Sequence, residues 1–74
     1  MALIGRHRVG ERGYAIQKDE KGRWLVRGAA KGEPIVKDGR QFLHLPGLGD
    51  FPSEDVFENE SDAEREATRR NQRL

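Results

Sequence analysis

The residues best equipped for chemistry in this chain are cations. Arg23, Trp24, Leu25, Val26 and Arg27 are consecutive. A strand through them sends both arginines and Leu25 to one face, and Trp24 and Val26 to the other. Four strand residues separate the arginines by roughly 13 Å, a reach that straddles neighbouring phosphates. Arg6, His7, Arg8 and Arg12 form a second basic group, of the kind that neutralises phosphates or enters a minor groove. If the arm and the sheet lie on one side, Arg6, Arg8, Arg12, Arg23, Arg27 and Lys31 make one continuous positive surface. A charged sheet face also has a plainer use, since it keeps a water-facing sheet soluble and guards its edges.

Other chemistry finds little support. The two histidines, His7 and His44, lie far apart in the chain, and a metal site would need scattered carboxylates to complete it. Ser53 and Ser61 occupy helix-cap positions, which accounts for them without a nucleophile. Gly47-Leu48-Gly49 lacks the preceding strand and following helix that a phosphate-cradling loop requires. No catalytic residue, metal ligand or cofactor is expected, and the chain reads as non-enzymatic.

Length and composition set the frame for these residues. With 74 residues and no cysteine, the chain reads as a single domain near the lower limit for one hydrophobic core, with neither disulfide nor thiolate metal site to reinforce it. No apolar run approaches a membrane span or signal-peptide core, so a cytoplasmic protein with no membrane partner is expected. The net charge is only +1, yet it hides an asymmetry. Residues 1–40 carry ten Lys or Arg against five Asp or Glu, and residues 41–74 carry four against eight. The front is basic and the back acidic.

The elements that position the cations follow from periodicity. RGYAIQK, residues 12–18, alternates with Tyr14 and Ile16 on one side and Ala15 and Gln17 on the other, the mark of a half-buried strand. A polar turn with Gly22 leads into RWLVRGA as its partner. Asp38-Gly39 marks a second hairpin, with Lys37 opposite Arg40, Val36 opposite Gln41 and Ile35 opposite Phe42. Pro34 belongs at an edge or strand start. In this hairpin Ile35 and Phe42 share one face while Val36, Leu43 and Leu45 share the other, so both faces are partly apolar. LPGLGDFPS, residues 45–53, reads as a loop. A helix is expected from near residue 60 to near 72, with Ser61 and Glu64 as a capping box and Ser53 or Asn59 as earlier caps. Its acidic start and arginine-rich end suit the helix dipole. Val56, Ala63, Ala67 and Leu74 form its narrow apolar stripe. Whether residues 53–57 join the helix stays open.

The order of these elements, with GRWLV in a hairpin and then Phe57, Asn59, Ala63 and Ala67 spaced as F-x-N-x-x-x-A-x-x-x-A, resembles the small sheet-plus-helix DNA-binding domains of the AP2 and phage-integrase arm-binding type. The resemblance spans roughly residues 12 to 72. It implies an exposed sheet face lying in a DNA major groove, with Arg23, Leu25 and Arg27 facing the groove and Trp24 in the core. The chain departs from that pattern in the long segment from Leu45 to Asp55 and in having two hairpins.

The expected fold is α+β, an antiparallel meander of three or four strands packed on one C-terminal α-helix. Residues 1–11 form a basic arm or edge strand, and residues 12–74 the small domain. The leading functional expectation is an accessory protein of bacterial or phage character that binds DNA or RNA through Arg6, Arg8, Arg12, Arg23, Arg27 and Lys31. Two others stand beside it. One is a protein-interaction or assembly module, with a homodimer as one form, that docks through Leu25, Val36, Leu43 and Leu45. The other is an inhibitor presenting Asp62, Glu64 and Glu66 to a nucleic-acid enzyme.

Overall fold

The computed structural model describes residues 12–73, together with the backbone of two short paired strands, β1 (Leu3–Ile4) and β2 (His7–Arg8). The main body begins with β3 (Arg12–Lys18) and β4 (Trp24–Lys31), which form an antiparallel hairpin. Asp19 makes its turn. The Asp19 Oδ1 accepts from the backbone N–H of Lys21 at 2.8 Å and of Arg23 at 2.9 Å, while Gly22 takes a φ of 81°. An aspartate opening a turn and a glycine closing it at positive φ fit this geometry for separate reasons.

The second hairpin joins β5 (Glu33–Lys37) to β6 (Arg40–Leu45) in the register expected from Asp38-Gly39. Asp38 and Gly39 have φ values of 51° and 75°, the two positive angles such a two-residue turn demands. Pro34 sits on β5, at the edge of its sheet, where its missing N–H costs no ladder bond.

Two strands depart from expectation. Residues expected as loop include β7 (Gly49–Pro52), which pairs with β6 and makes a three-stranded sheet, β5-β6-β7. A 3-10 turn at Ser53–Asp55 leads into β8 (Val56–Phe57), which pairs with β3 to give β4-β3-β8. Residues 53–57 therefore stand outside the helix, and Val56 belongs to a strand rather than to the helical stripe. Because β5 follows β4 after Gly32 alone, and β8 follows β7 after three residues, each sheet hands its chain to the other.

The fold is thus α+β and antiparallel, with one C-terminal helix, α1 (Glu60–Asn71). Asn59 is the N-cap, its side chain accepting from the Asp62 N–H at 2.9 Å, while Ser61 donates to the same Asn59 oxygen from inside the first turn. Alternation along the strands feeds two cores. Ala15, Leu43, Leu45, Phe51 and Val56 are buried between the sheets, with Ala30 and Leu48 against them. Ile16, Phe57, Ala63 and Ala67 are buried between the first sheet and α1, joined by Tyr14, Trp24 and Val26. Small alanines on the helix let it lie close to the strands. No helix among the described residues is long and apolar enough to cross a membrane.

Candidate nucleic-acid interface

Hairpin β3–β4 carries six Lys or Arg against two Asp or Glu over residues 12–31, a balance of +4. The side chains of Arg12, Lys21, Arg23, Arg27 and Lys31 make no ion pair or hydrogen bond among the described residues, and Arg12, Arg23, Arg27 and Lys31 are all exposed. Elsewhere among the described residues every Lys and Arg but Arg73 meets a carboxylate. Lys37 meets Asp50 at 2.6 Å, Arg40 meets Glu54 at 3.4 Å, Arg69 meets Glu66 at 2.7 Å, and Arg70 meets Asp55 at 2.7 Å. Unmatched positive charge is therefore concentrated on one hairpin.

Its geometry is set by a β-bulge. The pairing steps from Ile16 opposite Val26 to Ala15 opposite Gly28, which leaves Arg27 as the extra residue on β4. Before the bulge, Leu25 pairs with Gln17 and lies on the face opposite the helix, with Arg23 and Arg27 beside it. Beyond it, Lys31 pairs with Arg12 on the face of Tyr14 and Ala29, the helix side. The bulge spreads the cations over both faces of the β3–β4 hairpin rather than along one. Of the six expected residues, the structure brings together only Arg12 and Lys31; Arg23 stands in the turn before β4 and Arg27 on the bulge, on the face of Leu25. Arg6 and the side chain of Arg8 lie outside the described residues.

The aromatic ring of this stretch is turned away. Trp24 is half-buried against α1, with the Arg70 guanidinium 4.4 Å and the Lys18 ammonium 5.6 Å from its ring centroid. Arg70 also bonds Glu66 and Asp55, so one guanidinium joins the tryptophan, the helix and the turn before β8. Glu66 stands three and four residues before these arginines, a spacing that one helix face brings together, whereas Asp55 arrives through the chain reversal at residues 53–57. Hydrogen bonds from Arg69 and then Arg70 hold the Glu66 carboxyl at a pKa of about 2, against an ordinary value of 4.5.

The alternative surfaces come out differently from expectation. Leu43 and Leu45 are 0% exposed, because the second apolar face of β6 packs on the chain's own first sheet. Those two leucines are unavailable to a partner, and only Leu25, 39% exposed, and Val36, 71% exposed, remain of that set. On α1, Asp62 pairs with Arg65 and Glu66 is buried under Arg69 and Arg70, which breaks up the expected carboxylate row. Glu64 alone of the three is fully solvent-facing without a matched cation. Beside the helix, Phe57, Asp62, Arg65, Glu66 and Arg69 line an open groove of about 310 Å³.

His44 bonds Asp50 at 2.7 Å on the outer face of the second sheet, and Lys37 joins the same carboxylate. The Lys37 hydrogen bond, followed by that of His44, holds the Asp50 carboxyl below its ordinary range. Among the described residues no three His, Asp or Glu side chains gather in a way that could hold a metal ion. The chain matches no protein-family model, no curated protein and no solved structure.

Proposed function

We propose that this chain is a small accessory protein that binds nucleic acid through the β3–β4 hairpin. The observation that supports this is the contrast in pairing: outside the hairpin every described Lys and Arg except Arg73 meets a carboxylate, whereas Arg12, Arg23, Arg27 and Lys31 meet none among the described residues. Unneutralised, exposed cations on one hairpin gain most from a polyanion, whose bound counterions they release. The acidic first turn of α1, with Glu60 and Asp62, lies on the far side of the sheet from Arg23 and Arg27, so it does not oppose an approach from their side.

The test is a titration with a random-sequence duplex at low and at physiological salt, followed by amide NMR. Tight binding at low salt, weakened steeply by salt and centred on residues 23 to 27, is expected. Replacing both Arg23 and Arg27 by alanine should flatten the slope of log K against log salt by about 1.8, near 0.9 for each lost phosphate contact. A duplex that leaves the low-salt spectrum unchanged would sink the proposal.

A further inference from the structure

Two rungs of this fold place like charges directly opposite each other. Lys37 faces Arg40 at the end of β5–β6, and Arg12 faces Lys31 at the end of β3–β4. Directly opposed residues in antiparallel strands have Cβ atoms about 5 Å apart, and like charges there are destabilising. At the first rung the chain supplies the remedy itself, with Asp50 at 2.6 Å from Lys37 and Glu54 at 3.4 Å from Arg40. At the second rung neither cation has a carboxylate within ion-pair range among the described residues. The same arrangement thus occurs twice, once with its anions and once without.

We propose that Arg12 and Lys31 form a two-cation clamp for a single phosphate group, which takes the place that Asp50 and Glu54 fill at the other rung. A guanidinium offers a planar fork that matches two phosphate oxygens, and an ammonium adds a mobile point charge. The clamp rests on the nucleic-acid reading above and names a contact within it. Because the bulge at Arg27 and Gly28 puts Arg23 and Arg27 on the opposite face, the clamp is a separate contact. A backbone that reaches both sets must pass around the edge of β4.

Stability and binding should respond to Lys31→Glu in opposite directions. Without ligand, the substitution turns a repulsive rung into an attractive one and raises the Tm. Affinity for a random-sequence duplex at low salt should fall about tenfold, as one contact is lost and a repulsion is gained. Lys31→Gln should make the salt slope shallower by about 0.9, while Lys37→Gln, at the satisfied rung, should leave duplex affinity unchanged. A Lys31→Glu protein that binds duplex like the parent, or melts below it, overturns the clamp. A companion titration with inorganic phosphate at constant ionic strength separates the two claims. If phosphate shifts the Arg12 and Lys31 side-chain signals but no duplex binds, the clamp stands and the nucleic-acid reading falls. If duplex binds and Lys31→Glu has no effect, the reverse holds, and if neither ligand acts both fall.

Discussion

Asn71 serves Trp24 as a substitute for a neighbouring strand. Its carboxamide oxygen accepts from the Trp24 backbone N–H at 2.7 Å and its Nδ2 donates to the Trp24 carbonyl at 3.0 Å. An edge strand leaves such groups unpaired, and here the last helical residue fills both. The same contact docks the end of α1 onto β4, beside the Arg70 guanidinium stacked on the Trp24 ring.

Replacing Asn71 by alanine should therefore strand two partly buried backbone groups at once. The expected loss is about 1–3 kcal/mol, measured by urea denaturation. Exchange of the Trp24 amide proton should quicken well beyond that of Ile16. A loss below about 0.5 kcal/mol would mean that water serves the edge equally well.

Glu66 ties stability to pH. Its folded pKa of about 2 lies below the ordinary 4.5, so the unfolded chain takes up the proton first as pH falls. The stabilisation is complete above about pH 4.5 and is lost as pH falls through about 2. Glu66→Gln should cost about 1–3 kcal/mol at neutral pH, because Arg70 is left with a weaker partner in a partly buried site. Denaturation curves of the variant should also show a weaker acid dependence across that window than those of the parent.

Gly28 lies against Leu48, in the turn between β6 and β7. A Cβ at this position would lie 3.1 Å from both methyl carbons of Leu48. Gly28→Ala should cost about 1–3 kcal/mol through overpacking. Adding Leu48→Ala should cost less than the two single losses combined, since the shortened side chain relieves the clash. Additive losses would show that backbone strain, and not this contact, makes glycine necessary.

Asp50 should titrate below the ordinary carboxylate range, and Lys37→Met should move it upward, since the Lys37 hydrogen bond is the largest cause of the depression. Carboxyl-detected NMR titration of the two proteins reads this directly. An unchanged Asp50 would assign the effect to His44 instead.

Local chemistry made much of this fold legible in the amino-acid order alone. The strand over residues 12–18, the register set by Asp38-Gly39 and a helix beginning near residue 60 all rest on interactions spanning a few residues: alternation, positive φ and capping. The turning of Trp24 and Val26 toward the helix, away from Leu25, was readable for the same reason.

Long-range packing decided the rest. Gly49–Pro52 reads as a loop because its glycine and proline carry little strand preference, and it becomes a strand only through its ladder with β6. That addition builds the second sheet and buries Leu43 and Leu45, which alternation alone left facing outward. The bulge at Arg27 and Gly28 has no unique local signature, yet one extra residue moves every later side chain to the other face. Residue types determined that this hairpin would be basic. Only the tertiary pairing decided that Arg12 and Lys31 stand opposite each other, apart from Arg23 and Arg27, because register belongs to two strands together and is written in neither.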